Sequence, residues 1–147
     1  MKNYFLDLYD YHDQANARVM NVLYPENPTI SDYAYKMFRH IIMANHVWLH
    51  RILKLPSDYE FTAELSQEQL IDLIEKNKIE LNDILDQFSL DDKIEFTNLQ
   101  DEKYAMKLID ILSHVSHHHA YHRGQIARSI RESGLEPPKT DLMLFRR

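Results

Sequence analysis

A chain of 147 residues with 44% hydrophobic and 27% charged residues has room for one domain with a substantial core, and its composition fits neither a disordered nor a membrane class. A net charge of −6 with neutral histidines argues against a general phosphate-binding surface, so no direct nucleic-acid binding is expected. The absence of cysteine excludes disulfides, thiolate ligands and a protein-borne thiol nucleophile, and any metal must rest on imidazole and carboxylate.

The opening segment MKNYFLDLYDYHDQ is acidic within its first ten residues and has no apolar run suited to a signal peptide. No later stretch is long and apolar enough for a membrane span. Together these predict a cytoplasmic protein. Two glycines and long proline-free stretches favour helix. A first helix is expected over about residues 3–22, with Phe5, Leu8, Tyr9, Ala15, Val19 and Val22 at helical spacing, ending before YPENPT. Ser31 or Thr29 can cap a second helix that runs to about Leu53, before Pro56. Ser66 and Gln69 stand at capping-box spacing before a third, marked by the stripe Leu70, Leu73, Ile74, Leu81, Ile84, Leu85 and Phe88.

The next segment, KIEFTNLQDEKYAM, carries Ile94, Phe96, Thr97 and Tyr104 around a polar middle, which reads as a small hairpin or an ordered loop. A fourth helix follows from about Lys107 to Ser133, stopped by Gly134 with Pro137 and Pro138 beyond it. Four helices that each bury one face predict an all-α four-helix bundle over residues 1–147 as a single domain, with a small β-hairpin between helices three and four.

The fourth helix holds five of the nine histidines within SHVSHHHAYH. At about 100° per residue His118 and His122 lie about 40° apart, one turn above each other, at the edge of the core face formed by Leu108, Ile111, Leu112, Val115, Ile126 and Ile130. Both imidazoles can reach one ion. His114 extends the row, His117 points to solvent, and His119 falls inside the apolar arc, where the wheel leaves it open as a partner of His122. A buried or surface histidine cluster without an ion is the plainer alternative. However, neighbouring imidazoles against a core repel when protonated and lose hydration when buried, which a divalent ion on neutral rings relieves.

Catalytic zinc has three protein ligands and an open position, so a third ligand is needed. On the second helix His40 shares an inward side with Met37, Ala44, Val47 and Trp48, whereas His46 and His50 share the arc of Lys36, Arg39 and Lys54 and are expected to be solvated. His12, between acidic Asp10 and Asp13, is expected on an exposed face and is otherwise an extra ligand or a group that supports the ligands from behind. Trp48 and Tyr4, Tyr9, Tyr11, Tyr33 and Tyr35 are expected in the core rather than around a pocket.

The segment HVSHHHAYHRGQIARSIRESGLEPPKTDL resembles the fourth-helix histidine segment, His-Arg-Gly-Gln run and proline-rich tail of the DinB-like (DinB/YfiT) group of bacterial metal-binding four-helix bundles. YDYHDQANARVMNVL and HIIMANHVWLHRI are similar to the group's first and second helices. The resemblance implies a metal triad of His40, His118 and His122, a divalent ion such as zinc or nickel, a cytoplasmic location and a homodimer. Arg123, Gly124 and Gln125 match the segment after the last ligand, which gives none of them a catalytic role. Arg123 can anchor an anion or brace the bundle, and Gly124 can permit close helix packing.

Three functions follow from these residues. One is a metal-dependent transferase that activates a low-molecular-weight thiol against an electrophilic small molecule, as some members of the group do. Another is a metal-dependent hydrolase, which needs a carboxylate base that the fourth helix lacks near His118 and His122 and that Asp10 or Asp13 would have to supply. The third is a non-enzymatic metal-binding stress-response protein, whose site would be closed by a fourth ligand such as His12 or His114.

Overall fold

The structure, a computed structural model, describes residues 1–146. Four helices, α1 (Lys2–Leu23), α2 (Asp32–Leu53), α3 (Gln67–Gln87) and α4 (Leu108–Glu132), form the body. Two strands, β1 (Lys93–Thr97) and β2 (Lys103–Lys107), pair antiparallel between α3 and α4, and a 3₁₀ turn, Leu142–Phe145, ends the described chain. The helices lie within two residues of the expected bounds, and the hairpin forms where β-favouring residues flank the polar middle.

Local chemistry sets these boundaries. Tyr24 is extended at the end of α1, as a residue before proline must be to avoid the ring. Ser31 caps α2 by accepting a hydrogen bond from the Tyr33 N–H, and both halves of the Ser66–Gln69 capping box are formed on α3. The hairpin pairs Ile94 with Met106 and Phe96 with Tyr104, and Asn98 Oδ1 accepts from the Gln100 and Glu102 N–H groups to shape the turn. Gly134, at φ +89°, ends α4 in the left-handed region, with the Leu135 N–H donating back to the Ile130 carbonyl.

Two apolar clusters fill the bundle. One contains Phe5, Leu8, Leu49, Ile52, Leu85 and Ile111, and the other Leu23, Phe38, Ile41, Leu70, Ile126 and Ile130. Along every helix the change from one cluster to the other is marked by buried polar residues: His12 and Asn16 on α1, Asn45 and His46 on α2, Asn77 and Glu80 on α3, and His119 and Arg123 on α4. The bundle therefore has a polar layer between two apolar clusters, and buried polar groups there need hydrogen-bond partners.

Candidate metal centre

α2 and α4 pack together and bring His40 to His118 and His122. The His118 and His122 ring centroids are 4.4 Å apart, and His40 stands 4.8 Å and 4.7 Å from them. One ring nitrogen of each lies within 4.8 Å of the others, and all three side chains are half-buried, so the group opens toward solvent. His40 Nε2 and His118 Nε2 are 3.0 Å apart. That is close to the roughly 3.3 Å between two ligands on a tetrahedral ion with bonds of about 2 Å.

Two ring nitrogens facing each other so closely need a proton or a cation between them. Burial, then the neighbouring His122, His40 and His114, lower the pKa of His118 to about 4, and burial and His122 lower that of His40. Both rings are thus neutral near neutral pH, the form whose lone pairs bind a divalent ion, and one of them can donate its Nε2–H to the other where no ion is held. Gln125 supplies what the wheel could not reveal. Its Oε1 accepts a hydrogen bond of 2.7 Å from His122 Nδ1–H, which leaves the Nε2 lone pair free for an ion. The exposed Phe61, from the segment between α2 and α3, sets its ring edge-on at 5.3 Å from His40. His114 is exposed and packs against Trp48.

Behind the triad the structure corrects several expectations. His12 is buried, not exposed: Arg123 Nη1 donates to its Nδ1 at 3.2 Å, which makes His12 Nε2–H the donor to Ser116 Oγ at 2.8 Å. His119 is buried too, stacked on His12 at 4.8 Å, with its Nδ1 accepting from Asn16 and its Nε2 without a partner among the described residues. Neither reaches the triad's group of converging nitrogens. Arg123 braces the bundle: it is 3% exposed and donates to Tyr11 Oη, Asn16 Oδ1 and His12 Nδ1. Gly124 is exposed, and a Cβ there would meet nothing within 4 Å, so close packing does not explain it. Of the aromatic residues, Tyr9, Tyr11 and Tyr35 are core, Trp48 is half-buried, and Tyr4 and Tyr33 are exposed.

His46 and His50 are also buried rather than solvated, at 0% and 2% exposure. The reason is that α2 packs against α3 as well as α4, so its polar arc faces a neighbouring helix and the segment after α2. The carboxylates of α1 do not join the triad. Asp10 accepts from Gln14 and pairs with Lys78, and Asp13 lines a small cavity of about 230 Å³ with Asn45, Asn77 and Lys78.

A family model described as the DinB family matches residues 1–147, the whole chain. No curated protein matches the sequence. No helix among the described residues is long and apolar enough to cross a membrane.

Proposed function

Because the chain belongs to the DinB family, we propose that His40, His118 and His122 hold a divalent metal, zinc or nickel, and that the protein is a metal-dependent transferase activating a low-molecular-weight thiol. The observation that carries this reading is the convergence of three imidazole nitrogens, and no carboxylate, at a half-buried opening. A bound ion with an open position would lower the pKa of an incoming thiol. Around it, Gln125 fixes the tautomer of His122, and the Phe61 ring gives an apolar edge against which an electrophilic small molecule can lie. The lack of a carboxylate base among these atoms favours the transferase over a hydrolase, and the count of three ligands favours chemistry over a closed structural site.

Metal analysis of untagged protein beside His122→Ala is the direct test: one equivalent fewer in the folded variant is expected, and equal content in the two would remove the centre. Turnover of an electrophile panel should require an added thiol, and ester or amide cleavage without one would sink the transferase reading. Gln125→Ala is expected to weaken metal binding by about 10- to 100-fold, read by equilibrium dialysis, with the helical circular dichroism unchanged. The same reading includes a cytoplasmic homodimer. In its support, α3 exposes Ile71 and Ile79 two turns apart, apolar positions that a second copy would cover. Sedimentation at the monomer mass would remove that part.

A further inference from the structure

A second group of ligand-type side chains lies where α2, α3 and the segment joining them meet. His46 and His50 stand one turn apart on α2, Asp58 comes from the connecting segment and Glu80 from α3. One ring nitrogen from each histidine and one Asp58 oxygen lie within 4.8 Å of one another, and His50 Nε2 is 2.9 Å from Glu80 Oε1.

The hydrogen bonding of His50 is the informative detail. Its Nδ1 is 2.6 Å from the Pro56 carbonyl, which can only accept, so Nδ1 carries the proton. In a neutral ring the Nε2 lone pair then faces a carboxylate oxygen, two acceptors with nothing between them. A histidine anchored through Nδ1–H to a carbonyl, with Nε2 directed at other donors, is also how metal-ligating histidines are oriented. Glu80 is 9% exposed, and its Oε2 has no hydrogen-bond partner among the described residues, nor has His46 Nδ1. Lys76 pairs with Asp58 and sets its ammonium 3.7 Å from Glu80 Oε1, so one positive charge already sits against both carboxylates. That side chain is 43% exposed and can swing out.

We propose that His46, His50, Asp58 and Glu80 form a second divalent-cation site, suited to zinc, in which the Lys76 ammonium holds the place of the ion. Two imidazoles and two carboxylates are a donor set zinc accepts. The Asp58 N–H donates to His46 Nε2 at 3.0 Å, so the connecting segment is already docked on that ring, and binding exchanges this bond for one to the ion. The same segment carries Phe61 to His40, so an ion here fixes the residue at the mouth of the first centre.

Zinc binding by the full-length His118→Ala/His122→Ala protein, followed by equilibrium dialysis with circular dichroism as the check on folding, tests this independently of the first centre. One equivalent retained at micromolar zinc is expected. Adding Asp58→Asn and Glu80→Gln should weaken it by more than about tenfold, and Lys76→Met should tighten it several-fold by removing the competing charge. No zinc bound by the folded double variant would overturn the site and leave a proton shared between His50 and Glu80. Zinc retained after Asp58→Asn/Glu80→Gln would also overturn it and place the ion on exposed histidines such as His114 and His117. An unchanged affinity in Lys76→Met would overturn the role given to that lysine.

Discussion

Arg123→Met is expected to lower the free energy of unfolding by about 3 kcal/mol, read by urea titration at neutral pH. Methionine fills most of the volume but donates to nothing, so His12 Nδ1 and Asn16 Oδ1 lose the donor they now share. Each buried acceptor left unpaired costs about 1–3 kcal/mol. The opposing effect is relief from burying a guanidinium whose hydrogen-bond partners are a phenol, an amide and an imidazole rather than a carboxylate. Losing the charge recovers part of its desolvation cost, but the acceptors remain buried, and removing one side of a buried polar network is the costly case. Arg123→Lys keeps the charge without the planar fork that spans three acceptors, and should recover less than half of the loss.

The effect should also reach the C-terminal tail. Tyr11, which accepts from Arg123, donates to the Thr140 carbonyl at 2.8 Å and packs at 5.2 Å against Phe145. Arg18 adds a bond to the Lys139 carbonyl and lies 4.2 Å from the Phe145 ring. Faster hydrogen exchange at residues 139–145 in Arg123→Met would mark Arg123 as the brace of this docking. A variant as stable as the wild type would end that account.

The helices were legible because their signals are local. The Ser66–Gln69 box, the Gly134 stop and the residue before Pro25 each act through their own backbone. The inward placement of His40, His118 and His122 was legible for a related reason, since wheel position fixes direction once one face is known to be buried. The acidic neighbours of His12 misplaced it on an exposed face of α1, and the wheel misjudged α2. It assumes one buried face per helix, but α2 packs on both α3 and α4, so the arc of His46 and His50 is covered as well. On α1, His12 and Asn16 resemble surface residues by type. They are buried because Arg123 and Ser116 arrive from α4, more than 100 positions along the chain, to satisfy them. Gln125 stood out only by resemblance, and its role was not legible because a hydrogen bond to His122 leaves no trace in hydrophobic patterning.

The other large expected effect concerns two adjacent residues whose titrations oppose each other. Burial, with the Arg123 charge and His117 adding to it, lowers the pKa of His12 to about 3. Burial raises that of Asp13 to about 7, with Asp10 and Glu75 reinforcing it and Lys78 acting against it. The unfolded chain takes up a proton on His12 near its ordinary value of about 6.5 while the folded protein does not, so stability falls as pH drops below that value, by about 2 kcal/mol at pH 5. Asp13 behaves in the reverse sense. From its ordinary value of about 4 up to about 7 the folded state holds a proton that the unfolded state has lost, so stability falls as pH rises, by an amount on the order of 2 kcal/mol between pH 5 and 7.5.

In the wild type these two contributions largely cancel, and single substitutions should separate them. Relative to wild type, His12→Gln is expected to gain about 2 kcal/mol on going from pH 7.5 to pH 5, because the variant no longer resists a proton there. Asp13→Asn should change in the opposite direction over the same interval, with its relative advantage greatest at pH 7.5. Urea titrations of metal-free protein at the two pH values read both differences. Parallel behaviour of the variants and the wild type would mean that neither group carries the buried charge penalty assigned to it, and that the polar layer admits water around His12 and Asp13.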